Sequence, residues 1–509
     1  MPESFIYTLP LRVNPCDAKT LELRFNAARQ LYNASLGETL RRLKLCRESK
    51  SWQRARKTPK TEKKKRKDLF SKSQKEYGFS EYSLHAWIKE RRKACALKEH
   101  IDANTMQKEA TKAFSVVKQY AIGKRGKPRF RAKNRFRSVE GKDNKSGIRF
   151  VNGKIIWNIR GREKLIFSCL FDVKDSYGVE AHALGSKVKS CRLIKKTIRG
   201  KARWFAQLVL EGKPLIKRKN KAQTKEKIGL DIGPSTLAMV SSDQACLRSF
   251  CSELAEKEKQ KKTLQKRASR SLRQNNPENF DEKGAVKKGA KKWMRSRRYQ
   301  RIREKKADLD RQLADQRSRL QGKLCNEILR IGSQVVLEKL NYKNFQKKWG
   351  KSVGKRAPGL FVSLLKRKAA SAGGYVEECS PYQTCLSQVC VCGRKKKKKL
   401  AERWHHCPCG ASAQRDLFSA YLASYVNKDK LDISQAEKDW VAAQPLLQRA
   451  MSKLNQQATG KSRLASFGLG QRQSLSHAKE NMKVVEAIDV VGKKETSIPR
   501  AIERQPVCS

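Results

Sequence analysis

Negative charge is scarce in this chain. Its 509 residues carry 48 Asp and Glu against 117 Lys and Arg, so the formal charge is 117 − 48 = +69. That is far more than solubility asks for, and it implies a polyanionic partner. Long apolar runs are missing as well. No stretch approaches the ~18 apolar residues that cross a bilayer, and the opening "MPESFIYTLPLRV" has no basic segment followed by an apolar core. Neither a membrane span nor a secretory leader is expected, which leaves DNA or RNA, met in the cytoplasm, as the expected partner. An even cysteine count is absent too: the 15 cysteines accompany no secretion signal in a long chain, so metal binding by a subset is the better reading than a disulfide framework. Aromatics make up 7% and hydrophobic residues 38%, enough for two or three cores at this length.

What is present divides along the chain. Phe5, Tyr7, Leu9, Leu11 and Val13 alternate as one face of a strand, and Leu21, Phe25, Ala28, Tyr32, Leu36, Leu40 and Leu43 recur at helical steps, with Asp17 as the candidate N-cap. Residues 49–67 are crowded with basic side chains lacking apolar periodicity and read as a solvated loop or arm. In "GKRGKPRFRAKNRFR", Arg129, Arg131, Arg135 and Arg137 alternate with Phe130 and Phe136. That spacing can offer guanidinium groups to phosphates and rings to bases, although a buried strand edge explains the phenylalanines equally well. Asn152-Gly153 and Arg199-Gly200 read as hairpin turns. The expected layout is a small oligonucleotide-binding β-barrel from residues 1–15 and 138–213, interrupted by a helical recognition domain over 16–137. A charged linker then leads to an α/β domain, and 427–509 reads as a polar, mostly disordered tail with one helical stretch near Ser434–Leu454.

The α/β half holds the chemistry-bearing residues. Asp231 lies inside an apolar strand, Glu338 follows Val335-Val336-Leu337, and Asp416 opens the apolar-periodic helix of Leu417, Ala420, Tyr421 and Ala423. Each alone reads as a cap or strand end. Together, three converging carboxylates can hold two divalent cations ~3.5–4 Å apart, activate water and stabilise the leaving oxygen of a phosphodiester. Cys390-x-Cys392 and Cys407-x-Cys409, each followed by glycine (Gly393, Gly410), suit two tight knuckles around one structural Zn²⁺. Cys385 is a spare thiol that could replace one ligand, and His405 and His406 read as structural or solvent-facing. Arg295, Arg297, Arg298 and Arg301, beside Trp293 and Tyr299, are expected to face nucleic acid.

The stretches "IGLDIGPSTLAMV", "VVLEKL" and "CPCGASAQRDLFSAYLA" resemble the three split motifs of the RuvC-like nuclease domain of TnpB proteins, transposon-encoded relatives of type V CRISPR nucleases. The resemblance covers Lys227–Val426 and fades after about Asn427. It implies an RNase H-like nuclease domain (227–384 and 411–426) with an inserted zinc module (385–410), in an RNA-guided DNA endonuclease dependent on Mg²⁺. It also implies that Asp231, Glu338 and Asp416 are the catalytic carboxylates. The expected partners are a guide RNA and double-stranded DNA target, the expected form a monomer, and the expected place the bacterial cytoplasm at the nucleoid. Three other readings stay open: a type V CRISPR effector, a guide-free RuvC-like resolvase or transposase, and a nuclease-silent RNA-guided repressor. The guide, the flanking motif and the cut positions are not legible in the sequence.

Overall fold

The computed structural model describes residues 3–172, 174–221, 224–289, 292–457 and 465–469. The chain divides into two compact units between Leu215 and Ile216.

In the first unit, strand β1 (Ser4–Pro10) leads into the long helix α1 (Pro15–Glu48). Asn14, not Asp17, caps it: the Asn14 side-chain oxygen accepts from the Asp17 N–H at 2.7 Å, leaving Asp17 as the acidic residue of the first turn. Residues 49–67 are not a loop. Helices α2 (Lys50–Lys57) and α3 (Lys63–Glu76) form there because Ser49 caps the first and Ala55 is fully buried. Trp52 and Phe70 then lock the pair edge to face, their ring centres 4.7 Å apart. Helices α4 (Glu81–Ala94) and α5 (Ala103–Ala121) complete the helical part, whose core is the buried stripe of α1.

The remaining strands of this unit are β2 (Ser138–Glu140), β3 (Ile148–Val151), β4 (Lys154–Trp157), β5 (Leu165–Ser168), β6 (Val188–Ile198) and β7 (Lys201–Glu211), with a short helix α6 (Val179–Leu184) between β5 and β6. Both expected hairpins form, with positive φ at Asn152, Gly153, Arg199 and Gly200. The expected barrel does not. The strands make one antiparallel sheet ordered β1-β7-β6-β2 and a second ordered β3-β4-β5, joined among the described residues by the single bridge Leu11–Cys169. The physical reason lies at β3. Closure would need its free edge to pair with β2, but the Asn144 side chain already takes the Phe150 N–H at 2.7 Å and donates to the Phe150 carbonyl at 3.0 Å. An amide side chain has replaced a strand partner.

The second unit is built on a five-stranded sheet ordered β10-β9-β8-β11-β12. The strands β8 (Lys227–Ile232), β9 (Thr236–Val240) and β10 (Ala245–Ser249) form an antiparallel meander. After helices α7 (Ala255–Gln274) and α8 (Arg297–Ile331), strand β11 (Gln334–Glu338) returns parallel to β8. Helices α9 (Tyr342–Arg356) and α10 (Pro358–Ser371) then precede β12 (Tyr375–Cys379), which is parallel to β11. The one-turn helix α11 (Pro381–Thr384) opens the cysteine segment, where β13 (Trp404–His406) pairs with β14 (Ser412–Gln414). Helix α12 (Arg415–Ser424) follows without a break, then the two-residue strands β15 (Val426–Asn427) and β16 (Lys430–Leu431) and helices α13 (Ile433–Lys438) and α14 (Trp440–Gln457).

Strand alternation assigns the two faces. Ile228, Leu230, Ile232, Val335 and Leu337 pack with α8 and α10, whereas Ala238, Val240 and Val336 pack with α12 and α14. Residues 427–457 are therefore no loose tail. Trp440 packs on Phe418 and Tyr421 of α12, and Leu447, Met451 and Leu454 continue an apolar stripe into the same core, where α14 lies against β10 and β14; the polar average of the segment hides it. The helical stretch expected near Ser434–Leu454 is present as α13 and α14, and Phe467 joins the same core at 2% exposure, so the expected disorder of the tail fails there; 458–464 and 470–509 lie outside the described residues.

Candidate active site and metal centre

Parallel pairing sets two of the three candidate acids side by side. Leu230 is the register partner of Leu337, so Asp231 and Glu338 are the next residues along neighbouring strands. Alternation turns both toward the face covered by α12. One glycine fixes how close that helix comes. A Cβ on Gly229 would stand 1.8 Å from the Ala420 carbonyl oxygen, so no other residue allows this contact. Gly229 and Asp231 share a strand face, and Ala420 and Asp416 share a helix face one turn apart, so the Gly229–Ala420 contact carries Asp416 toward Asp231.

The electrostatics agree with that placement. Burial, then the Asp416 and Glu338 carboxylates, push the Asp231 carboxyl well above its ordinary range, while Arg415 and Arg403 pull the other way. Burial raises Glu338 as well, opposed by a backbone hydrogen bond from Leu386. Asp416 is buried; its Oδ1 lies 3.6 Å from Arg415 Nε, and its Oδ2 accepts a long 3.5 Å contact from the Thr236 hydroxyl. Three acids whose mutual repulsion adds to burial at Asp231 in this way are costly unless a cation joins them. Their hard oxygen donors suit Mg²⁺. They are more spread than the thiols described below, which are the cluster of three or more ligand atoms within 4.8 Å among the described residues. Sequence reading missed Arg403, Arg415, Thr236 and Tyr342. The Tyr342 hydroxyl is buried without a hydrogen-bond partner, and burial, Glu378 and Asp231 raise its pKa. None of the four belongs to a spacing pattern that would mark it.

The four cysteines do converge. Cys390 and Cys409 sulfurs are 3.6 Å apart and those of Cys392 and Cys407 are 3.7 Å apart, against about 3.8 Å across a tetrahedral zinc with Zn–S near 2.3 Å. The two knuckles repeat one backbone pattern. The Gly393 N–H donates to the Cys390 carbonyl and the Gly410 N–H to the Cys407 carbonyl, both at 3.0 Å. The Cys390 and Cys407 N–H groups donate to Arg394 and Ala411, and both glycines have positive φ, 79° and 89°. Burial raises the Cys390 and Cys409 thiols, whereas at Cys407 burial is outweighed by the Cys409 N–H and the neighbouring thiols, which bring the thiol down to about 7, as expected of groups that share one site. The donor set fits Zn²⁺. Cys385 lies outside it, with its thiol donating to the Tyr382 carbonyl at 3.3 Å. His405 is buried, not solvent-facing: Nε2 lies 3.2 Å from Cys390 Sγ, Nδ1 meets Lys398, and the ring stacks on Phe418 of α12 with centres 4.0 Å apart. His406 is exposed.

Residues 359–422 match the family model described as Cas12f1-like, TNB domain. This match spans α10, β12, the cysteine segment and most of α12, including Asp416 and all four thiols. The chain is also similar to the protein in a solved structure titled "Cryo-EM structure of the Cas12f1-sgRNA-target DNA complex", at 13% identity over 85% of this chain and 100% of the other, with a TM-score of 0.45. A second, "Cryo-EM structure of CRISPR-Cas12f Ternary Complex", aligns at 14% identity over 82% and 83%, with a TM-score of 0.27. No curated protein matches the chain. These matches are to Cas12f proteins, not to TnpB.

The arginines divide. Arg129, Arg135 and Arg137 are exposed, but Arg131 is half-buried, with its guanidinium over the Tyr32 ring at 4.7 Å and near Phe136 at 6.0 Å. Phe136 belongs to the core while Phe130 is 63% exposed, and no strand forms between Gly123 and Arg137. Gly123, Gly126 and Pro128 leave that segment irregular, so the alternation there never becomes a strand face. In the second unit Arg295, Arg297, Arg298 and Arg301 are all exposed at the start of α8. No helix among the described residues is long and apolar enough to cross a membrane.

Proposed function

We propose that this protein is an RNA-guided DNA endonuclease. Its second unit would be an RNase H-like, RuvC-like nuclease with a zinc module over 385–410, and the chain would be encoded by a transposon and act on double-stranded DNA beside a short flanking motif. What supports the reading is the register that sets Asp231 and Glu338 side by side at the ends of β8 and β11 and the repulsion that couples Asp231 to Glu338 and Asp416, in a chain of formal charge +69. The site lies where the sheet changes from antiparallel to parallel pairing, at the carboxyl ends of strands, the usual place for ligands in such sheets. The Cas12f1-like match over 359–422 supports the same reading.

Asp231, Glu338 and Asp416 would hold two Mg²⁺ ions, whose charge would activate a water and stabilise the departing oxygen of a phosphodiester. The chain's own contribution is placement. Arg415 holds one oxygen of Asp416, and its Nη1 donates to the Lys399 and Glu402 carbonyls at 3.2 and 2.9 Å, tying that acid to the cysteine segment. Arg403 offsets part of the acid repulsion. The exposed arginines would hold backbone phosphates, with base pairing to the guide reading sequence.

A type V CRISPR effector is the second reading, favoured by the name of the matched family model. Purification of the full chain with its bound RNA, sequencing of that RNA and a cleavage assay on DNA matching it test the proposal. A defined transcript and cutting at the matching site are expected, and the transcript's origin, transposon end or repeat array, separates the two readings. Cutting without any retained RNA would favour a guide-free nuclease instead.

A further inference from the structure

The basic stretch at 49–67 is made of helices that enclose something. Arg47, Trp52, Arg56, Phe70 and Ala121 line a pocket of about 410 Å³ in the first unit, within the size range of small-molecule sites. Its walls are unusual for a void left by packing. Trp52 and Phe70 meet edge to face at 72°, so a ring face stays open, and both side chains are only half-buried. Arg47 is braced by Tyr120, its guanidinium 4.9 Å from the ring centre and its Nη1 3.5 Å from the hydroxyl. Arg66 sits over Phe70 at 5.7 Å, and its Nε is buried with no hydrogen-bond partner. Among the described residues no acidic side chain lines the pocket. The chain leaves it through Ala121 into Lys124, Arg125, Lys127 and Arg129, all exposed.

Aromatic faces beside guanidinium groups, with cations leading away, match a nucleotide: the ring takes the base, and the arginines take its phosphate and the next along the strand. An acidic peptide would use the arginines and leave the rings without a role. We propose that this pocket receives one unstacked base of a single-stranded segment of RNA or DNA, with Trp52 and Phe70 as the stacking wall and Arg47 and Arg56 as the phosphate contacts. The proposal rests on the reading that the protein works on nucleic acid, but not on its cleavage chemistry.

The test uses the full chain with a mixed-sequence single-stranded RNA, the DNA of the same sequence, and a DNA duplex. Ultraviolet cross-linking followed by peptide mass spectrometry should place linked nucleotides on the peptides that hold Trp52 or Phe70. Trp52→Ala should weaken single-strand binding about ten-fold, the loss of one stacked base, while duplex binding holds and Trp52→Phe restores most of the loss. Because Trp52 also packs on the core, Arg56→Ala serves as the surface variant. It should weaken the same complexes with an unchanged melting temperature. The RNA and DNA arms show which strand supplies the base. Unchanged single-strand affinity in both Trp52→Ala and Arg56→Ala, with cross-links confined to other peptides, overturns the pocket while leaving the nuclease reading in place. A parental chain that binds no single strand and no duplex overturns both.

Discussion

The two ligand clusters of the second unit are built in opposite ways. The four thiols come from two turns within a short stretch, Cys390 to Cys409, and each knuckle is closed by its own backbone hydrogen bonds. The three candidate carboxylates come from two strands and a helix, separated along the chain by 416 − 231 = 185 positions, and a sheet register and one glycine contact are what draw them toward one another. The thiol centre organises its own piece of chain and needs a cation to complete it. The acid centre is organised by the fold and is a cost to it, since burial and mutual repulsion raise Asp231. Removal of a ligand should therefore have opposite consequences for stability at the two sites.

The largest effect is expected at the acids. Asp231→Ala or Glu338→Ala should lower cleavage by about 10³-fold or more, the several kcal/mol that a bound divalent ion supplies, while gel-shift affinity for nucleic acid persists. Cutting near the parental rate would remove these residues from the mechanism. A substitution that touches no ligand should come next. Gly229→Ala drives a methyl group into the Ala420 carbonyl, so α12 must withdraw. Overpacking of this kind costs about 1–3 kcal/mol, and a displaced Asp416 should cost about 10²-fold in cleavage with zinc content unchanged. If Gly229→Ala cuts normally, the close approach does not position the site.

The same contrast explains what was legible in the sequence. Strand alternation marks Asp231 and Glu338 from a few residues each, and paired Cys-x-Cys-Gly units mark a local metal centre, because in both cases the signal and its cause are neighbours in the chain. What escaped depends on distant partners. Asn144 occupying the edge of β3, and so keeping two sheets from closing into a barrel, is invisible without coordinates. Trp52 has no apolar periodicity around it until Phe70 closes on it. The stripe of Trp440, Leu447, Met451 and Leu454 is diluted by polar neighbours, and only the folded core of β10, β14 and α12 gives it a surface to cover. Arg403 and Arg415 are two cations among 117 Lys and Arg, distinguished solely by what they face.

The third prediction crosses from one cluster to the other. Cys407 adjoins β13, whose partner β14 ends at Gln414, and the Gln414 side chain caps α12 by accepting from the Leu417 N–H at 2.9 Å. His405 bridges the same elements through Cys390 and Phe418. Cys407→Ser should therefore lower zinc content, melting temperature and cleavage together. The cleavage loss should be about 10–100-fold, the size expected when the support of a ligand is disturbed and not the ligand itself, and excess Mg²⁺ should not restore it. Cys385→Ser, outside the cluster, should keep about one zinc per chain. Elemental analysis that finds the metal lost from the Cys385 variant and kept in the Cys407 variant would reverse the ligand assignment.

The smallest expected effect is the most direct test of the opposite signs. A carboxyl whose folded pKa lies above its unfolded value disfavours folding once the pH exceeds the unfolded value near 4, because the unfolded chain releases the proton more readily. At neutral pH and without divalent ions, the raised Asp231 therefore subtracts from stability, and Mg²⁺ offsets that cost by binding the folded state alone. Asp231→Asn removes the charge at nearly constant shape. In chelator it should melt about 2–4 °C above the parental protein, equivalent to about 1 kcal/mol, and the gain should shrink as the pH falls toward 4. Added Mg²⁺ should raise the parental melting temperature and leave the variant nearly unmoved. Cys407→Ser should do the reverse, melting lower than the parental protein at every pH, by a margin that added Mg²⁺ does not close. Should Asp231→Asn instead melt lower in chelator, the carboxylate would be part of what holds the fold together, and the division between a centre that the fold supports and a centre that supports the fold would fail.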